Sequence, residues 1–158
     1  MKVLISTCLL GVACKYSGGD NARPTLVAAL QAAGHELVPV CPEVYGGLPT
    51  PRTPAERISS RRGGRPCRGR PLTAQYRKGA EIALQLASLT GCRVAVLKAN
   101  SPSCGHGTIY DGTFSGKKNS RQRCSRRAAG TKRNCRLYGR GLCRGTALLT
   151  ITNHDDTR

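Results

Sequence analysis

Three cysteines, Cys8, Cys41 and Cys104, each follow a short run of β-forming residues and lie far apart in the chain. Their separations fit no zinc-finger spacing, so a metal site built from them must be assembled by the tertiary fold. Iron–sulfur clusters are held by cysteine thiolates, normally four for a [4Fe–4S] cluster. Three thiolates would leave one metal position open, where a substrate can bind to a Lewis acid. The alternative is three unrelated buried thiols, because free cysteine is among the most buried residue types.

The other cysteines divide into several classes. Cys14 lies in the loop after the first β-type run, where it can act as a spare ligand or a substrate-side thiol. Cys92 stands between a helical pattern and a strand pattern, which favours core packing. Three more cysteines near the C-terminus lack the C-x-x-C pairing of a zinc site: Cys124, Cys135 and Cys143. The N-terminal residues are interpreted as a strand and not as a secretory signal. Nine cysteines in a chain of this kind predict a reducing, cytoplasmic compartment.

Polar residues close to these cysteines can move protons or bind a substrate. Glu43 is two residues beyond Cys41 and is a candidate acid or base; the alternative is that it bonds a loop backbone. Ser101 and Ser103 precede Cys104, and either can instead stabilise a turn. Residues of the first loop can stack on or hydrogen-bond to a planar base, although solvated loop residues are the default: Tyr16, Asp20 and Asn21. His106, in a glycine-flanked loop, is more often exposed than catalytic.

Strand and helix patterns alternate through the first two thirds of the chain. Strands are predicted over 2–6, 36–40 and 93–97, with a helix from Pro24 to about Gly34 and another over 74–89. In the second helix, Ile82, Leu86 and Leu89 form the predicted apolar stripe, with Ala83 and Ala87 beside them. The prolines between 42 and 54 predict a loop there, not a helix. The alternation predicts a small Rossmann-like α/β domain of three layers with a short parallel sheet.

Parallel strands place their carboxyl ends at one edge of the sheet, where ligands of open α/β sheets bind. The three cysteines, each in a loop beyond such a strand end, are therefore expected at the same edge. No apolar run is long enough for a membrane span.

Positive charge is concentrated in two segments. The formal net charge is +18, and it arises mostly from 59–70 and 117–158, which are rich in Arg and Lys. Their low hydrophobicity predicts disorder, and they are either a basic arm for RNA or the product of a reading-frame change. We therefore divide the chain into an α/β domain over 1–118, with an atypical basic loop at 59–70, and an irregular basic tail over 119–158. A strand at 147–152 is one further possibility.

Four motifs in a fixed order resemble the DUF523 family, which includes bacterial 2-thiouracil desulfurases. They are STCLLG at 6–11, CKY at 14–16, VCPE at 40–43 and NSPSCG at 100–105. The resemblance implies a [4Fe–4S] cluster on Cys8, Cys41 and Cys104 and desulfuration of a small thiolated nucleobase. It also implies catalytic roles for Glu43 and Ser101. The sequence departs from the family pattern at 59–70 and after Lys117.

Two classes of function follow from these observations. One is an iron–sulfur desulfurase whose substrate is contacted by Cys14, Tyr16, Asn21 and Ser103. The other is a nucleic-acid-binding protein that acts through its basic segments, and an inactive family member is a third reading. The substrate and the oligomeric state stay open at this level.

Overall fold

A four-stranded parallel sheet forms the centre of the molecule. The computed structural model describes residues 1–56, 72–105, 108–120 and 147–151. Strands β1 (Lys2–Ser6), β2 (Glu36–Val40), β3 (Val94–Lys98) and β6 (Ala147–Ile151) lie in the order β2-β1-β3-β6, with every neighbouring pair parallel. The predicted parallel α/β sheet is confirmed, and a strand is present where the sequence offered one at 147–152.

Helices cover both faces of this sheet, which gives the three predicted layers. Helix α1 (Pro24–Ala32) packs Leu26 and Leu30 against one face, and α3 (Thr73–Thr90) packs against the other. The strands alternate their side chains between the two faces, so Val3 and Ile5 face α1 whereas Leu4 faces α3. Cys92 belongs to the core on the α3 side, as predicted.

The prediction of a loop throughout 42–54 is wrong at its start. A one-turn helix, α2 (Pro42–Tyr45), begins directly after β2. Proline suits the first position of a helix, since its fixed φ is helical and its missing N–H would have no intrahelical partner. Glycine allows α2 to lie on α3: a Cβ on Gly79 would overlap the backbone carbonyl oxygen of Pro42, and one on Gly46 that of Gln75. This contact fixes the position of Cys41 and Glu43.

The buried face of α3 also differs from the predicted stripe. Ala80, Ala83 and Ala87 are buried, whereas Leu89 is 87% exposed. Small side chains are required on this face because α2 and the sheet both approach the helix closely. The predicted stripe was centred on the large apolar residues, whereas the buried face is centred on Ala83 and Ala87, which were placed beside it. Leu86 packs against the edge of the core.

A two-stranded antiparallel hairpin follows β3. It consists of β4 (Thr108–Tyr110) and β5 (Lys118–Ser120), joined by a turn over 111–117. The basic loop at 59–70, His106, the three C-terminal cysteines and most of the basic tail lie outside the described residues, so disorder and RNA binding stay predictions. None of the helices in the described residues is long and apolar enough to cross a membrane.

Candidate active site

A cavity of about 340 Å³ opens at the carboxyl edge of the sheet. It is formed by the loops that follow β1, β2 and β3, together with the hairpin turn. Nine residues singled out in the sequence line it: Cys8, Cys14, Tyr16, Asn21, Cys41, Glu43, Ser101, Ser103 and Cys104. Asp20 does not line the cavity. Its carboxylate accepts the Ala22 N–H (2.9 Å), so Asp20 is a solvated loop residue, as the alternative to substrate binding predicted. The parallel topology thus brings the candidates together, while their individual roles stay predictions.

Three of the cavity thiols interact directly with one another. Cys8 lies in a 3₁₀ turn (Thr7–Leu10) after β1, and Cys41 is the N-cap of α2 after β2. The thiol of Cys14 is hydrogen-bonded to both. Hydrogen bonding with Cys14 is the main influence that lowers the pKa of Cys8 to about 6 and that of Cys41 to about 7, although the single Cys14 proton is donated to one of them at a time. The same two bonds, followed by burial, raise the pKa of Cys14, so Cys14 is the thiol that keeps its proton.

Cys104 is the most buried of the four cavity thiols, with 7% of its surface exposed. Burial raises its pKa to about 11, against the opposing effect of hydrogen bonds from Ser6 and Ser103. A buried thiol of this kind becomes a thiolate when a cation neutralises its charge. Its environment is therefore consistent with a ligand that is deprotonated on metal binding.

The donor set fits an iron–sulfur cluster better than a single metal ion. Within the described ranges, no three Cys, His, Asp or Glu side chains are placed to hold one metal ion. The thiolates of a cluster bind different iron atoms, so they do not have to converge on a point. The described cavity lining contains four cysteines and no histidine, and thiolates are the ligands that Fe–S clusters select.

A buried ion pair lies beside the thiols. Glu43 and Arg52 are about nine-tenths buried, and the Glu43 Oε2 atom accepts bonds from Arg52 Nε (2.8 Å) and Nη2 (2.6 Å). The same guanidinium donates to the carbonyl oxygen of Cys14 (3.2 Å) and to that of Pro49 (3.1 Å). Arg52 thus ties the carboxylate to the loop that carries Cys14.

The other carboxylate oxygen faces two serines. Glu43 Oε1 accepts the hydroxyl of Ser103 at 2.6 Å and that of Ser101 at 3.4 Å, and the two hydroxyl oxygens are 3.1 Å apart. The Ser101 oxygen also accepts the backbone N–H groups of Ser103 (3.3 Å) and Cys104 (3.2 Å). Ser101 therefore stabilises the turn, which was the alternative to a catalytic role, and it also contacts the Glu43 carboxylate.

Sequence reasoning missed several residues of this site. Arg52 lies in a proline-rich loop, and nothing in the sequence indicated that it pairs with Glu43. Lys98 is buried at the end of β3, where it donates to the Ala99 carbonyl (3.0 Å) and helps lower the pKa of Cys8. A charged residue that ends an apolar strand is a signal that could have found it. The hairpin residues Tyr110 and Phe114, which also line the cavity, gave no signal of their own.

Comparisons with known proteins indicate the family and the fold. The family model described as 2-thiouracil desulfurase matches residues 3–134. The uncharacterized protein YbbK of Bacillus subtilis (strain 168) is 38% identical over 128 residues, which is 73% of this chain and 81% of YbbK. The solved structure of the [4Fe-4S]-dependent thiouracil desulfidase TudS is 36% identical, with a TM-score of 0.71, over 94% of this chain and 89% of TudS.

Proposed function

The chain belongs to the 2-thiouracil desulfurase family, and we propose that it removes sulfur from a small thiolated nucleobase. Water replaces the sulfur at carbon, so that a C=S group becomes C=O and hydrogen sulfide leaves. One observation carries the proposal: four cysteines and the Glu43–Arg52 ion pair line one cavity. The similarity to TudS, a [4Fe-4S]-dependent thiouracil desulfidase, supports it.

Cys8, Cys41 and Cys104 are the residues that would hold the cluster. Each comes from a different loop at the carboxyl edge of the sheet, and each lines the cavity. When bound, the cluster would supply a thiophilic, Lewis-acidic iron. Cys14, which keeps its proton between Cys8 and Cys41, is proposed to lie on the substrate side.

Glu43 is proposed to exchange the protons of the reaction. Replacing sulfur by oxygen requires water to lose a proton and the departing sulfur to gain one. Arg52 engages Oε2, which leaves Oε1, next to the serines, as the oxygen that takes and returns the proton. Arg52 fixes the direction of the carboxylate and balances its charge.

The serines connect Glu43 to the cavity. Ser101 Oγ accepts two backbone N–H groups, so its own proton is directed towards Glu43 or towards a bound molecule. Ser103 donates to Oε1 at 2.6 Å and also approaches the Cys104 sulfur at 3.7 Å. We assign Ser101 to proton relay and Ser103 to orientation of the carboxylate.

Two residues of the first loop are proposed to bind the base. Tyr16 is 43% exposed and lines the cavity, where its ring can stack on a planar heterocycle. Asn21 lines the same cavity, where its side chain hydrogen-bonds Cys8, and its amide is proposed to contact the edge of the base as well. The backbone of this loop is fixed, since Arg52 N–H donates to the Tyr16 carbonyl oxygen (2.8 Å).

Substitution of Glu43 tests the proposal after anaerobic cluster reconstitution. Glu43→Gln keeps the shape of the side chain but removes its ability to take a proton. With iron content matched to the wild type, sulfide release from 2-thiouracil is expected to fall by roughly 10²–10⁴-fold. Glu36→Gln is the control, because Glu36 is exposed at the start of β2 and does not line the cavity. Near-wild-type turnover in fully loaded Glu43→Gln would remove Glu43 from the mechanism.

A further inference from the structure

Aromatic side chains, which are scarce in this protein, gather at the mouth of the cavity. The chain contains one Phe, five Tyr and no Trp, and among the residues that the structure describes, three aromatic side chains line the cavity: Tyr16, Tyr110 and Phe114. Phe114 is 48% exposed and Tyr16 is 43% exposed, whereas Cys14 and Cys104 in the same lining are 8% and 7% exposed. The cavity lining therefore combines buried thiols with aromatic rings that are open to solvent.

Phe114 is held in place by a residue from a distant part of the chain. The Glu56 Oε2 atom accepts the backbone N–H groups of Gly112 and Phe114, both at 3.0 Å. Phe114 has a φ of +56°, a left-handed conformation that residues other than glycine adopt at a cost. A carboxylate that binds two N–H groups of one turn maintains this conformation. Glu56 thus holds the backbone of the turn that carries the Phe114 ring.

The three rings differ in what already covers them. Lys15 Nζ lies 5.6 Å from the centre of the Tyr16 ring, and Lys118 Nζ lies 5.4 Å from that of Tyr110. Within the described part of the chain, no cation or second ring is in contact with Phe114. Its ring has no polar atom, so the gain from covering it with a flat apolar or aromatic surface is the largest of the three.

We propose that Phe114 is a specificity residue that stacks on the ring of a planar heteroaromatic substrate, and that Glu56 is the residue that positions it. The site then selects cyclic, aromatic thiones over acyclic ones, although both contain the same C=S group. This inference rests on the proposed function for the identity of the substrate, but the stacking itself can be measured without the reaction.

Fluorescence tests the stacking independently of catalysis. The chain has no tryptophan, so Phe114→Trp creates a single reporter at the cavity mouth. Uracil, the expected product, requires no sulfur chemistry and does not absorb at the red edge of tryptophan excitation. At constant iron content, uracil is expected to quench this fluorescence saturably. Leu89→Trp is the control, since Leu89 is 87% exposed on α3 and does not line the cavity; its fluorescence should not respond.

Kinetics test the selectivity. Phe114→Leu keeps an apolar side chain but removes the π-face, and base–aromatic stacking is worth enough to change kcat/KM for 2-thiouracil by roughly 5- to 100-fold. The loss is expected mainly in KM, and sulfide release from thiourea, which has no ring, should change less than twofold by comparison. Glu56→Ala should lower kcat/KM for 2-thiouracil in the same way but by a smaller factor. Glu56→Gln should keep most of the wild-type kcat/KM, because one amide oxygen can accept both N–H groups.

The outcomes separate this inference from the proposed function. Saturable quenching with Phe114→Trp supports the stacking even if 2-thiouracil is not desulfurated. Desulfuration by the wild type together with unquenched Phe114→Trp overturns the stacking while the function stands. Equal losses for 2-thiouracil and thiourea in Phe114→Leu would show a general disturbance of the site and would overturn the role in specificity.

Discussion

Removing the guanidinium of Arg52 while keeping its apolar stem is expected to destabilise the protein strongly. Arg52→Met leaves the Glu43 carboxylate, which is about nine-tenths buried, without its two donors at 2.6 and 2.8 Å. Breaking one side of a buried ion pair costs about 3–5 kcal/mol, because the remaining charge is buried without compensation. In a chain of this length each kcal/mol lowers the unfolding midpoint by roughly 2–4 °C, so a decrease of about 6–20 °C is expected.

Thermal unfolding followed by circular dichroism, at matched iron content, measures this effect. The control is Lys2→Met, which removes an exposed ion pair with Glu36 (3.5 Å, side chains 43% and 67% exposed). Exposed pairs contribute about 0–1 kcal/mol, so the control should shift the midpoint by no more than about 4 °C.

A double-mutant cycle decides whether the cost arises from the pair. In Arg52→Met combined with Glu43→Gln neither charge of this pair is left, so the double variant should lose about 1–3 kcal/mol less than the sum of the single variants. If the two effects are additive within about 0.5 kcal/mol, or if Arg52→Met behaves like Lys2→Met, the reasoning that a buried Glu43–Arg52 pair organises the cavity is refuted.

The remaining predictions concern the cluster ligands and the helix contact that places them. Replacing any one of the three proposed ligands by serine should abolish the iron content and the brown colour, whereas Cys92→Ser, in the core, should keep both; full iron content in a ligand variant would contradict the assignment. Gly79→Ala should lower both the unfolding midpoint and the iron content, since its Cβ would overlap the Pro42 carbonyl oxygen and displace α2. Ser88→Ala, at an exposed position of the same helix, is its control, and equal behaviour of the two variants would show that the α2–α3 contact tolerates a methyl group.

The sheet was predictable because its strands are short, apolar and bounded by glycine, proline and charge. The bounds of β1 and β2 agree with the structure, and β3 is shifted by one residue, to Val94–Lys98. The parallel topology then placed the cysteines at one edge without any information on side chains. The buried face of α3 was predicted only in part: Ala83 and Ala87 were placed beside the stripe and not at its centre, since alanines at close contacts carry a weaker pattern than the leucines beside them.

Side-chain pairs that link distant segments escaped the sequence reasoning. Glu43 lies in α2 and meets Arg52 from the following loop, whereas the sequence pattern predicted a loop in place of that helix. Glu56 reaches the turn of a hairpin that lies more than fifty residues away, and no local pattern reports such a contact. The residues that were found, such as Cys41 and Glu43, belong to short motifs next to strand ends, where topology alone fixes their location.

Anaerobic turnover tests the central claim most directly. The reconstituted full-length protein is incubated with 2-thiouracil, and uracil and sulfide are quantified together with protein-bound iron. The account predicts equal amounts of uracil and sulfide, in proportion to the iron content, and none from protein stripped of iron. Uracil formation that persists in the iron-free protein, or a fully iron-loaded protein that releases no sulfide from 2-thiouracil, would contradict it.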